Sequence, residues 1–210
     1  MLDLDGDRGL AIVPWRSSTL YVVLACSLMG VMGVSLVSPV LPDLRSVFGV
    51  SDARIGLVIT AYTLPGVVVT PFVGLAADRF GRRRVIVPLL FLFAVAGTGV
   101  AFARTFAEVV ALRLLQGVGA SALITLAVTL IGDVYDGRQR DAVMGLNGST
   151  VGTGAAFYPL LGGALAGIRW SAPFLFFGVD ALVGLFALVA LTEPTGPRST
   201  DVRTYLARLR

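Results

Sequence analysis

Six apolar stretches, each long enough to cross a lipid bilayer, leave this chain few ways to fold. They run roughly over Thr19–Leu41, Arg54–Ala77, Val85–Ala103, Ala107–Ile131, Ala142–Ile168 and Ala172–Leu191. A helix needs about 20 predominantly apolar residues to span the hydrocarbon core, where every backbone N–H and C=O must be satisfied internally. Of the 210 residues 56% are hydrophobic and 14% charged, whereas a soluble domain carries about a quarter charged. The expectation is an all-α integral membrane protein of six transmembrane helices. A polar tail occupies 1–17, the bundle 18–192, and a linker with a basic amphipathic segment 193–210. The first stretch is too long for a signal-peptide core and has no cleavage site, so it is expected to remain as a span.

Arginine placement orients the bundle, because positive charge resists translocation. With both termini cytoplasmic, that side holds Arg8, Arg16, Arg79, Arg82, Arg83, Arg84, Arg138, Arg140, Arg198, Arg203, Arg208 and Arg210. The opposite side holds only Arg45, Arg54, Arg104 and Arg169, and Arg113 lies within a span. A net charge of +4 is therefore a topology signal and not a nucleic-acid footprint. No metal or cofactor is expected. Asp3, Asp5 and Asp7 lack the acidic residue that a calcium loop needs at its twelfth position, where Pro14 stands. With no histidine, no P-loop and no nucleophile–base constellation, an enzyme is not expected. The single cysteine, Cys26, sits in the first apolar run as a small packing residue.

The most specific stretch is Gly74-Leu-Ala-Ala-Asp78-Arg79-Phe-Gly81-Arg82-Arg83-Arg84, a hairpin loop of about seven residues between spans two and three. Gly74 would admit a close neighbouring helix, and Gly81 a tight reversal. The stretch closely resembles the signature G-x-L-A-D-R-x-G-R-[KR] between helices two and three of major facilitator superfamily transporters, with Ala76 in place of a leucine. That resemblance implies a conformational latch of Gly74, Asp78, Arg79, Gly81 and Arg82. It also implies a partner for Arg82 in Asp133, the acid at the cytoplasmic end of helix four.

Two further stretches are similar to motifs of the same family. Arg113-Leu-Leu-Gln116-Gly117-Val-Gly119-Ala120 matches the fourth-helix pattern, whose arginine the family links to proton coupling. An arginine inside a span costs about 2.5–3.5 kcal/mol and should face protein or water, although snorkelling to the outer surface is the plainer alternative. Gly154, Pro159, Gly162 and Gly163 resemble the fifth-helix motif of drug–proton antiporters, with Tyr158 replacing a central glycine; a flat helix-packing face explains the small residues equally well. Asp180, in span six, matches no family motif. An ionisable group at that depth is a candidate for proton coupling together with Arg113, or a structural carboxyl.

The resemblance implies a 3+3 inverted repeat and proton-linked efflux of small molecules across the cell membrane of a prokaryote. It covers the first half of a twelve-helix protein. The expected partners are a small-molecule substrate, protons, the bilayer, and either a second copy of the chain or a separate six-helix half. The alternative is a half-transporter fragment, or a membrane subunit that packs with a partner and transports nothing itself.

Overall fold

A computed structural model describes residues 12–121 and 123–190, all of whose regular structure is helical. Residues 1–11 of the expected polar tail, and the linker and amphipathic segment expected over 193–210, lie outside the described residues. Helix α1 (Ser18–Ser35) tightens through a 3-10 turn at Ser38–Val40 into α2 (Leu41–Phe48). The short α3 (Asp52–Ile55) leads into α4 (Leu57–Phe80), and α5 (Arg82–Gly99) follows after one residue. Then come α6 (Phe106–Ala120), α7 (Leu123–Val134), the 30-residue α8 (Gly137–Ala166), α9 (Ala172–Phe176) and α10 (Val179–Ala190).

Five segments are long and apolar enough to cross a membrane: Ser18–Phe48, Asp52–Phe80, Arg82–Phe102, Phe106–Val134 and Ala172–Ala190. The remaining expected span, the fifth, corresponds to α8, which at about 1.5 Å per residue is roughly 45 Å long. Its length suffices, but it is not among the five: glycines and hydroxyl residues from Gly145 to Gly163 dilute its hydropathy. Spans one, three and four hold the buried core; among the five apolar segments span two is the most exposed, with 22% of its apolar window inside the bundle. The main pairings are α4 with α6, α5 with α6, α1 with α8, α5 with α10 and α1 with α7.

Prolines at 65 and 71 do not break α4, which continues through both. Span four does break, between α6 and α7 at Ser121, and the Ser121 carbonyl there accepts from the Thr70 hydroxyl of α4. Glycine sets one close approach in this region. A Cβ on Gly117 would collide with the Tyr62 carbonyl and touch Pro65, so α6 lies directly on the α4 backbone.

The expected seven-residue hairpin after span two is far tighter. Helix α4 runs through Asp78 and Arg79 to Phe80, and α5 starts at Arg82, leaving Gly81 alone between them. Gly81 has φ 101° and ψ 144°, a conformation that a side chain resists. Charged residues end the hydropathy signal, which is why the sequence suggests a loop here. Outside the hydrocarbon core they remain good helix formers, so both helices extend into the interface.

A buried arginine and a charged hairpin form the candidate functional site

The hairpin gathers charge in an arrangement that helix dipoles oppose. Asp78 occupies the last turn of α4, and Arg82, Arg83 and Arg84 occupy the first turn of α5. Each sits at the helix end that disfavours its sign. Ion pairs offset this. Arg82 Nη2 lies 3.5 Å from Asp78 Oδ1, and Arg82 Nε pairs with Asp133 Oδ2 near the end of α7. Arg82 is thus the common cation of two carboxylates and ties the α4–α5 hairpin to span four. Arg79 is exposed and stacks on Phe80, its Cζ 5.5 Å from the ring centroid. Gly74 does not receive a neighbouring helix from this chain: a Cβ there would meet nothing within 4 Å, because this face of α4 is open.

Arg113 is fully buried, with 0% exposure, so it does not snorkel. Its guanidinium donates from Nε to the Val58 carbonyl at 3.1 Å, from Nη1 to Gln116 Oε1 at 2.7 Å and from Nη2 to the Gly33 carbonyl at 2.6 Å. The Gly33 contact follows from the end of α1. The Val37 N–H bonds the Val34 carbonyl in 3-10 fashion, which leaves the Gly33 carbonyl without its usual i+4 donor. Arg113 fills that vacancy from another span and places a cation at a helix C-terminus, where the dipole favours it. The guanidinium also lies 4.4 Å from the centroid of Tyr62, whose hydroxyl donates to the Gly30 carbonyl at 3.2 Å. A Cβ on Gly33 would clash with the Tyr62 ring, so glycine is what lets α1, α4 and α6 converge here.

The sequence reading missed Tyr62 as a partner. It also missed a run of ring contacts leading outward from it. Tyr62 touches Phe93 at 6.4 Å between centroids, Phe93 touches Phe177 at 5.4 Å, and Phe174, Trp170, Phe48 and Phe106 follow. Arg54 stands over Phe106 at 5.7 Å. Spans two, three and six are therefore linked by rigid aromatic contacts from the surface to the buried arginine.

Asp180 is 4% exposed in the first turn of α10, and its Oδ2 has no hydrogen-bond partner among the described residues. The structure does not join it to Arg113: among the described residues neither takes part in an ion pair. Gln116 stands between the two environments. Its Oε1 accepts from Arg113, and its Nε2, with no partner among the described residues, lies against Gly97, where Phe177 also packs. Beside Tyr62 lies a cavity of about 280 Å³, lined by Gly30, Thr63, Gly66, Ser121 and Thr125 among others. In span five, Gly154 packs on Leu28 and Gly162 on the Leu36 carbonyl and Pro39, so these two form the α1–α8 contact. Pro159 is half-buried, and Gly163 faces open space, as do Gly145, Gly148 and Gly152. No group of acidic or cysteine side chains suited to a metal occurs among the described residues.

Comparison with known proteins gives these features a context. The sequence model of the Major Facilitator Superfamily matches residues 23–208. The bacillibactin exporter of Bacillus subtilis (strain 168) is 33% identical over 150 residues, covering 68% of this chain and 37% of the exporter. Multidrug resistance protein 1 of the same organism is 26% identical over 190 residues, covering 90% of this chain and 49% of that protein. The chain thus spans less than half the length of these relatives. Among solved structures, a bacterial homolog of the human lysosomal transporter Spinster superposes with a TM-score of 0.75 at 21% identity, over 94% of this chain and 47% of that one. At that identity the likeness is one of fold.

Proposed function

The chain belongs to the Major Facilitator Superfamily, and on that premise we propose that it forms half of a proton-linked exporter of small molecules. The observation that carries this reading is Arg113, a fully buried cation held by backbone carbonyls of two other spans and stacked on Tyr62, whose ring lines a cavity. So costly a group inside a membrane bundle fits a site that handles charge. The export direction rests on the relatives, one a bacillibactin exporter and one a multidrug resistance protein. Threonine and serine hydroxyls beside the Tyr62 ring suit mixed polar and aromatic molecules, and the 280 Å³ cavity would be one wall of a larger chamber.

The same reading has α8 as span five of six, both termini cytoplasmic, and spans one to three and four to six as inverted repeats. The pairing pattern supports the repeat: exchanging the halves turns the α4–α6 contact into the α8–α1 contact, and both are extensive. Transport then proceeds by rocking of two six-helix bundles about a central site. Asp78, exposed at the end of α4, would be the latch, meeting a helix N-terminus of the opposing bundle while Arg82 holds it in place. Asp78→Asn in the full chain, assayed in vesicles under an imposed pH gradient, is expected to lower transport about tenfold with membrane insertion unchanged. Wild-type transport together with unaltered cysteine accessibility would remove the latch.

For the opposing bundle we propose a second copy of this chain, in parallel orientation. Gly66 and Gly74 on α4 and Gly145, Gly148 and Gly152 on α8 leave faces with no neighbour within the chain. Two-fold symmetry would bring α4 of one copy to α8 of the other, twice. Asp141, close to the start of α8, would repel Asp78 unless Arg82 or Arg140 intervenes. In a Cys26→Ser background, Leu75→Cys and Gly145→Cys variants, both on faces open in this chain, co-expressed in native membranes should cross-link only when both are present. A monomer at every lipid-to-protein ratio, without that cross-link, would exclude the homodimer and leave a separate second half as the partner.

A further inference from the structure

Helix α5 opens with three arginines, and only the first is engaged. Arg82 serves Asp78 and Asp133, while Arg83 and Arg84 take part in no ion pair or hydrogen bond among the described residues. Both line a groove of about 400 Å³ whose other walls are Val87, Pro88 and Leu188. Val87 and Pro88 lie one turn into α5, and Leu188 lies in the last turn of α10. The groove therefore has a cationic mouth at the ends of two spans and an apolar wall leading into the membrane. None of its residues borders the cavity beside Tyr62.

We propose that this groove binds an anionic phospholipid, with its phosphate on Arg83 and Arg84 and the upper part of an acyl chain along Val87, Pro88 and Leu188. The charge pattern selects the ligand. Two guanidiniums without a protein counter-charge match a phosphate, to which arginine donates in a planar fork. The apolar wall selects a lipid over a free anion, because a soluble phosphate would leave that surface bare. Juxtamembrane arginines gain from anionic headgroups about a fivefold preference each. The bound lipid would wedge between α5 and α10 next to the hairpin, so its occupancy would bear on how freely the Arg82 ion pairs rearrange. This inference stands whether or not the chain transports anything.

Native mass spectrometry of the full chain in non-ionic detergent, titrated with phosphatidylglycerol or phosphatidylcholine, tests it. Phosphatidylglycerol should bind at concentrations at least about tenfold lower, and Arg83→Gln/Arg84→Gln should weaken it roughly thirtyfold, two fivefold steps combined. Arg83→Lys/Arg84→Lys should retain the preference for the anionic lipid. Leu188→Trp, which fills the groove without changing charge, should also weaken phosphatidylglycerol binding, and it decides the matter if the glutamine variant fails to insert. Millimolar inorganic phosphate should not displace the lipid. Equal binding of the two lipids, an anionic preference that survives the glutamine pair or Leu188→Trp, or full displacement by inorganic phosphate would each overturn the proposal.

Discussion

Replacing Arg113 with alanine is expected to abolish transport and to destabilise the bundle by about 2–4 kcal/mol. The change removes donors from the Gly33 and Val58 carbonyls and from Gln116 Oε1, and a buried acceptor left unpaired costs about 1–3 kcal/mol. It also leaves a cavity beneath the Tyr62 ring, a further loss of similar size. Relief from burying a cation offsets part of both. Lysine separates fold from function: it keeps the charge, but a single ammonium cannot reproduce a fork directed at three acceptors on different elements. Arg113→Lys should therefore keep most of the stability and less than about a tenth of the transport. Thermal unfolding in detergent and efflux from vesicles measure the two effects. Wild-type transport by Arg113→Ala would remove the buried arginine from the mechanism.

The legibility of Arg113 in the sequence was partial, for a definite reason. Its depth could be read from the apolar run around it, and Gln116 from the three-residue spacing that puts both on one helix face. Its other partners are backbone carbonyls 80 and 55 residues away, and a carbonyl leaves no mark on residue identity. The Gly33 carbonyl is free only because α1 tightens into a 3-10 turn before Pro39. Five of the six expected spans coincide with helices apolar enough to cross a membrane, because hydropathy reports the bilayer directly, although the first segment runs on to Phe48. Hydropathy failed where composition and conformation part company. The charged hairpin is helical up to Gly81 on both sides, and α8 is one continuous helix whose glycines keep it from the apolarity of its neighbours.

The glycines divide the same way. At Gly33, Gly117 and Gly162 the absent side chain admits another element of this chain, whereas at Gly74, Gly145, Gly148, Gly152 and Gly163 it faces nothing. Sequence spacing marks both sets alike, and only the assembled bundle separates intrachain packing from surface left for a partner. On α4 the two kinds of surface are back to back. Val58, Ala61, Tyr62 and Pro65 are buried against the bundle, while Leu64, Val67, Val68 and Phe72 are exposed. A helix held on one side by the Arg113 cluster, and free on the other, can report the state of that cluster to whatever lies against its open face.

Asp180→Asn is expected to cut proton-driven transport at least tenfold while sparing substrate exchange. Asp180 sits almost wholly buried in the first turn of α10, with Oδ2 unpartnered among the described residues. A carboxyl that alternates between a dry and a wet environment changes its cost of ionisation at each transition, which is the physical basis for exchanging a proton with each conformational cycle. Asparagine keeps the shape and the hydrogen-bonding capacity but cannot titrate. Net export driven by a pH gradient requires that titration, whereas exchange of labelled for unlabelled substrate requires only that the bundle rock. A purely structural Asp180 would affect both assays equally, or neither. Arg113 makes no ion pair with Asp180, so any coupling between them must pass through the groups that separate them, and Gln116, bonded to Arg113 and meeting Gly97 where Phe177 also packs, is the candidate. Gln116→Leu should then shift the pH at which transport is half-maximal without the total loss expected of Asp180→Asn. If Asp180→Asn retains full gradient-driven export, the coupling acid lies elsewhere in this chain or on its partner.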